Sequence, residues 1–156
     1  MDFQQQRIAE DNISRVVFGY ATGIDSGNLD DTARLFSHGA WFVNPDQPFR
    51  GFDEVSEFLW SNVILYNGVP RTRHCISNLV INLDSSGVKA NAHSNVMVYQ
   101  TVPDQLPGII FQGGYKDSFL LVDGQWYFDE RHIVTDGIGD MSYHLKSASQ
   151  AGGSRI

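Results

Sequence analysis

The sequence predicts an α+β fold in which one bent sheet wraps around a helical layer and encloses a pocket. Three observations predict it. Apolar residues recur with a helical period through the first part of the chain, the period changes to two beyond Pro70, and Gly113-Gly114 interrupts a long strand where a sheet can bend.

From Gln4 to Ile24, the residues Ile8, Ile13, Val16, Val17, Tyr20, Ala21 and Ile24 fall on one face of a long helix, which Ser26-Gly27-Asn28 ends. A short second helix is predicted over Asp30 to Phe36, docking through Ala33, Leu35 and Phe36, with Trp41-Phe42-Val43 following as a strand. Asn44 to Pro48 is turn chemistry. Asp53 fits the N-cap of a third helix, with Glu54 and Glu57 complementing its dipole and Val55, Phe58, Leu59 and Val63 as its apolar stripe. Asn67-Gly68-Val69-Pro70 closes it. Four strands then follow: Thr72 to Leu83, Val88 to Val102, Ile110 to Val122 and Gln125 to Thr135. The last two are joined by Asp123-Gly124, a two-residue hairpin signal, so the strands form an antiparallel meander. These elements make one domain over residues 1–146, and the Ser-, Gly- and Ala-rich stretch from Ser147 to Ile156 reads as a flexible tail.

A chain of 156 residues with 42% hydrophobic and 19% charged residues is long enough to bury a single core and has the composition of a soluble globular protein. Its net charge of −7, with no basic stripe, argues against nucleic acid as a partner. Cys75 is the only cysteine, so no internal disulfide forms, and it reads as a small buried apolar residue. The N-terminus lacks the pattern of an export signal, and no apolar run reaches the ~20 residues that span a bilayer. The expectation is a cytoplasmic protein with no membrane contact. His74 and His93 lie on separate strands without the spacing of a metal motif, and neither a phosphate-binding glycine loop nor a serine nucleophile elbow is present. The sequence therefore predicts no metal and no cofactor.

Asp25, His74 and Arg131 are the informative polar residues. Asp25 shares the apolar face of the first helix with Val17 and Ala21 and sits at the C-terminal end, where the macrodipole disfavours negative charge. Buried there, it needs a donor; exposed, it would serve the turn that follows. His74 shares a strand face with Thr72, Ile76, Asn78 and Val80, a mixed surface suited to a pocket wall. A hydrogen bond to Asp25 would fix its tautomer and leave the other ring nitrogen as a general base. Without such a partner it is a satisfied half-buried side chain. Arg131 shares parity with Asp129, Ile133 and Thr135; on an inward face it is either a cation stabilising developing negative charge or half of a structural ion pair. Trp41, Trp60, Met97, Phe111 and Tyr115 are candidate pocket walls by parity or position.

The residues also carry a resemblance. Tyr20 to Asn28, Leu35 to Phe42, Thr72 to Asn78, and Trp126-Tyr127-Phe128 leading to Arg131 resemble the SnoaL-like branch of the nuclear-transport-factor-two-like superfamily, over about residues 5 to 145. That group includes scytalone dehydratase, hexachlorocyclohexane dehydrochlorinase, ketosteroid isomerase and polyketide cyclases. The resemblance implies a cone-shaped α+β barrel with a mixed, mostly antiparallel sheet, commonly a homodimer or homotrimer. It carries a catalytic His-Asp pair onto His74 and Asp25 and a cationic pocket residue onto Arg131. Tyr20, Tyr99 and Tyr115 are available where the dehydratase uses tyrosines, which makes Tyr20 a further candidate substrate contact. The implied activity is a cofactor-independent lyase or isomerase acting on a hydrophobic cyclic molecule. The alternative is a non-catalytic binding or assembly module, such as the small subunit of a ring-hydroxylating dioxygenase.

Overall fold

A capping box starts the chain: the Asp2 side chain accepts from the Gln5 N–H at 2.8 Å, and the Gln5 side chain accepts from the Asp2 N–H at 3.0 Å. It launches α1 (Phe3–Asp25), whose buried face carries Ile13, Val16, Val17, Tyr20 and Ile24. The structure, a computed structural model, describes residues 1–150. After a turn, α2 (Leu29–Arg34) packs against α1, with the Thr32 hydroxyl donating to the Tyr20 carbonyl at 2.9 Å. Two short strands follow, β1 (Ala40–Phe42) and β2 (Phe49–Arg50), then α3 (Gly51–Asn62). Asp53 lies inside the first turn of α3 rather than capping it: Arg50 holds the N-cap position, and its N–H donates to the Glu54 carboxylate at 2.6 Å.

The second half is the predicted meander, β3 (Thr72–Leu83), β4 (Lys89–Gln100), β5 (Gly108–Val122) and β6 (Gln125–Ile138). The six strands form one sheet in the order β2-β1-β6-β5-β4-β3. Only β1 and β6 pair in parallel. The sheet is therefore mixed and mostly antiparallel. It curves without closing, and β2 and β3 are its edges. Its inner residues, among them Val96, Val98, Ile110, Tyr115, Phe119 and Phe128, form one core with α1, α2 and α3.

Bulges create the curvature. At Gly113 a Cβ would lie 2.0 Å from the Val134 carbonyl oxygen, so the close approach of β5 to β6 admits no side chain. The register between the two strands shifts there, between Gln112 and Gly113, as the two glycines predict. Asp123 and Gly124 both take positive φ, 49° and 81°, in the hairpin that joins them.

Two further bulges overturn expectations of parity. Asn78 adopts φ 54°, and the β3/β4 register shifts between Ser77 and Val80. Beyond it Leu79 and Ile81 turn inward and Val80 is exposed, so Val80 does not share the face of His74. In β6 the register shifts opposite Ser118 and Phe119, and Asp129 becomes an outward extra residue bonded by the Ser118 hydroxyl. Arg131, Ile133 and Thr135 keep their common side, without Asp129. Cys75 is exposed rather than buried, because it alternates with the inward-facing His74 and Ile76. At the C-terminus, where a tail is predicted from Ser147, the chain forms a short helix, α4 (Lys146–Gln150), anchored by the Ser147 N–H donating to Asn62 Oδ1 at 2.9 Å. The rest of the predicted tail, 151–156, lies outside the described residues.

Candidate active site

The last residue of α1 and the start of β3 meet inside the cone. Asp25 stands where the helix dipole is unfavourable, and three donors compensate: Thr72 Oγ1 at 2.7 Å, the His74 backbone N–H at 2.8 Å and His74 Nδ1 at 2.6 Å. Burial pushes the Asp25 carboxyl up, but the hydrogen bonds and charge of His74, with the Thr72 hydroxyl, outweigh it and hold the group below its ordinary 3.8. Asp25 is therefore ionised at neutral pH. An ionised carboxylate only accepts, so Nδ1 of His74 carries a proton, and in the neutral ring Nε2 is the nitrogen with the lone pair.

The His74 side chain is buried yet lines a cavity of about 370 Å³. Most of the wall is apolar: Ile24, Phe58, Leu59, Val98, Ile133 and Leu145 contribute to it. Of the predicted walls, Tyr20, Trp41, Phe111 and Tyr115 line this cavity. Trp60 and Met97 do not. Trp60 is 48% exposed on the outer side of α3, where its Nε1 donates to Asp30 at 2.8 Å. Met97 alternates with the buried Val96 and Val98 and so faces out of the sheet.

Arg131 also stands elsewhere than expected. It is fully buried behind the cavity wall and grips Asp117 through Nε and Nη2, both at 2.8 Å, which is the structural ion pair. Its guanidinium lies 3.7 Å from the Tyr115 ring centroid, 4.3 Å from that of Tyr20 and 4.5 Å from that of Phe128. The two tyrosines, not the arginine, face the cavity. Burial pushes the Tyr20 hydroxyl up to about 12 against the pull of Arg131, and burial with Tyr20 as neighbour raises Tyr115 further. Both phenols therefore remain protonated, and the Tyr115 hydroxyl donates to Tyr20, whose own O–H is left to donate. Tyr20 also sets its ring edge-on to His74, at 6.2 Å between centroids.

The cavity has a side that the sequence reading missed. Met141, His144, Leu145 and Ala148 line it from the C-terminal segment. Their spacing of three, one and three is a helical stripe, a signal present in the sequence but set within a stretch read as domain end and tail. Among the described residues, no group of three His, Cys, Asp or Glu side chains is arranged to hold a metal ion. Nor is any helix among them long and apolar enough to cross a membrane.

The SnoaL-like domain family matches residues 5–132. Among solved structures, a scytalone dehydratase-like protein of Novosphingobium aromaticivorans is similar at 26% identity and TM-score 0.71, over 87% of this chain and 89% of that one. A Mycobacterium tuberculosis protein of unknown function is similar at 22% identity and TM-score 0.74, over 88% and 78%. A hexachlorocyclohexane dehydrochlorinase shares the fold at 14% identity and TM-score 0.68, over 87% and 90%. No curated protein matches the chain.

Proposed function

The chain belongs to the SnoaL-like domain family, and on that premise we propose that it is a cofactor-independent lyase or isomerase that removes a proton from a hydrophobic cyclic molecule. One observation carries the reading: an imidazole held at 2.6 Å by an ionised carboxylate, with its ring on the wall of a largely apolar cavity of about 370 Å³. His74 Nε2 takes a proton from a carbon next to a leaving group. The electron pair of that C–H bond becomes the new double bond, and the leaving group departs with its own pair. Asp25 keeps the ring in the reactive tautomer and stabilises the imidazolium that forms. Tyr20, which accepts from Tyr115, donates a hydrogen bond to the atom that gains negative charge. Arg131 is a positioning residue, acting through the two rings stacked on it. General-base catalysis of this kind contributes about 10² to 10⁴-fold.

The test is a panel of cyclic β-hydroxy ketones and chlorinated cyclohexanes incubated with the wild type and with His74→Ala, with alkene formation followed by NMR. The wild type is expected to form alkene from at least one compound and the variant none. Equal rates would refute the role of His74. A wild type that binds the compounds and returns them unchanged would support the ligand-binding module instead.

A further inference from the structure

Two polar atoms on the cavity wall take no part in the elimination. Among the described residues, Trp41 Nε1 and His144 Nδ1 are buried and find no hydrogen-bond partner, although both residues line the cavity. Neither side chain is at the surface, with Trp41 5% and His144 7% exposed. Buried polar atoms in folded proteins almost always have a partner, and one left without is destabilising. Ser94 Oγ and Arg131 Nη1 also lack a partner among the described residues, but neither residue lines the cavity; Trp41 and His144 do, which places their nitrogens where a ligand can supply one.

Three hydrogen bonds hold the backbone around His144. The Ile64 N–H donates to the His144 carbonyl at 2.8 Å. The Tyr143 carbonyl accepts from the Tyr66 hydroxyl at 2.7 Å and from Gln100 Nε2 at 3.0 Å. The segment is thus fixed from two sides, while Nδ1 of the ring takes no part in the scaffold. Burial, with His74 nearby, pushes the His144 imidazole down to about 4, so at neutral pH it is uncharged and offers one N–H donor and one acceptor lone pair.

Resting on the reading of this cavity as a ligand site, we propose that His144 is a substrate-binding residue whose ring hydrogen-bonds an oxygen substituent of the ligand. With the Trp41 Nε1–H, it makes the cavity select oxygenated rings over hydrocarbon or halogenated rings of similar size. The selection works by difference. A hydroxyl can donate to or accept from His144 and accept from Trp41, whereas a C–H or C–halogen bond leaves both nitrogens unpaired in a cavity from which the ligand has expelled water. This inference assigns His144 to recognition and leaves proton removal to His74.

Equilibrium dialysis of naphthalene and 2-naphthol against the full-length protein tests it, because the rings share a shape and differ by one hydroxyl. The wild type is expected to prefer 2-naphthol by about 5- to 10-fold, the size of one net hydrogen bond. His144→Phe and His144→Leu leave only the Trp41 donor and should lower the preference at least twofold, while naphthalene binding stays within about twofold. His144→Asn, whose amide reaches the place of Nδ1, should retain it. A preference unchanged in the two apolar variants, or an equal loss of both ligands, overturns the role of His144 alone. Failure of the wild type to bind either ring overturns the ligand-site premise with it.

Discussion

His144 makes a prediction about stability that needs no substrate. In the unfolded chain its imidazole titrates near the ordinary 6.5, whereas burial and the neighbouring His74 push it down to about 4 in the fold. Between those values the unfolded chain binds a proton that the folded one refuses. Stability therefore rises with pH across this window: the contribution is complete above about 6.5, is lost progressively as pH falls toward 4, and changes no further below that. The separation is about 2.5 pH units, and at ~1.4 kcal/mol per unit the full loss is about 3.5 kcal/mol, of which about 3 kcal/mol falls between pH 7 and 4. Replacing His144 with Phe removes the titrating group and keeps its approximate shape. Urea unfolding of both proteins at a series of pH values between 7 and 4 would measure the difference. The wild type should lose about 3 kcal/mol relative to the variant on acidification, with the change confined to that window. Asp25 does not confuse the result, since its depressed carboxyl loses its own contribution only as pH falls below the ordinary 3.8, and it is present in both proteins. Parallel stability curves would refute the burial of a neutral His144.

Three other perturbations follow from the same structure. Asp25→Asn removes the charge that orients His74 and should lower any proton-transfer rate by about 10² to 10⁴-fold, as read by alkene formation, with the fold retained by circular dichroism. Asp117→Ala strands the Arg131 guanidinium, whose relative exposure is 0%, and should cost about 3–5 kcal/mol in urea unfolding. Adding Arg131→Met should recover most of that loss, and a single variant of near-normal stability would contradict the ion pair. Gly113→Ala drives a methyl into the Val134 carbonyl and should destabilise by about 1–3 kcal/mol, visible as a lower thermal midpoint.

The strongly periodic elements are legible in the sequence. The buried face of α1 and the meander from Thr72 onward follow from steps of three and four and of two, and Asp123-Gly124 sets the hairpin between β5 and β6. Single inserted residues are harder to see. From the hairpin, Val122 pairs with Gln125 and Phe119 with Phe128; continued without interruption, that register would set Asp117 opposite Glu130. The extra residue Asp129 moves the pairing by one and brings Arg131 opposite Asp117 instead. The ion pair, and with it the distance of Arg131 from the cavity, depends on a bulge that alternation cannot reveal. Asn78 does the same to Val80 in β3. β2 holds two residues, too few to leave a periodic signal. The Asp25–His74 contact was legible because each residue was anomalous alone: a carboxylate on an apolar helix face and an imidazole on a mixed strand face. The C-terminal wall is harder to read: Met141, His144 and Leu145 follow the last predicted strand in a stretch given no element, and only Ala148 falls in the predicted tail.

The central claim is that His74 Nε2 removes a proton from carbon, and deuterium exchange measures that step without a leaving group. 2-Tetralone, a cyclic ketone with acidic C–H bonds beside its carbonyl, would be incubated in D₂O with wild type and with His74→Ala at equal ligand occupancy, and deuterium uptake followed by NMR. The wild type should accelerate uptake over buffer, and His74→Ala should fall by about 10² to 10⁴-fold, to the buffer rate where the acceleration is smaller. Exchange at the wild-type rate in the variant would contradict the account.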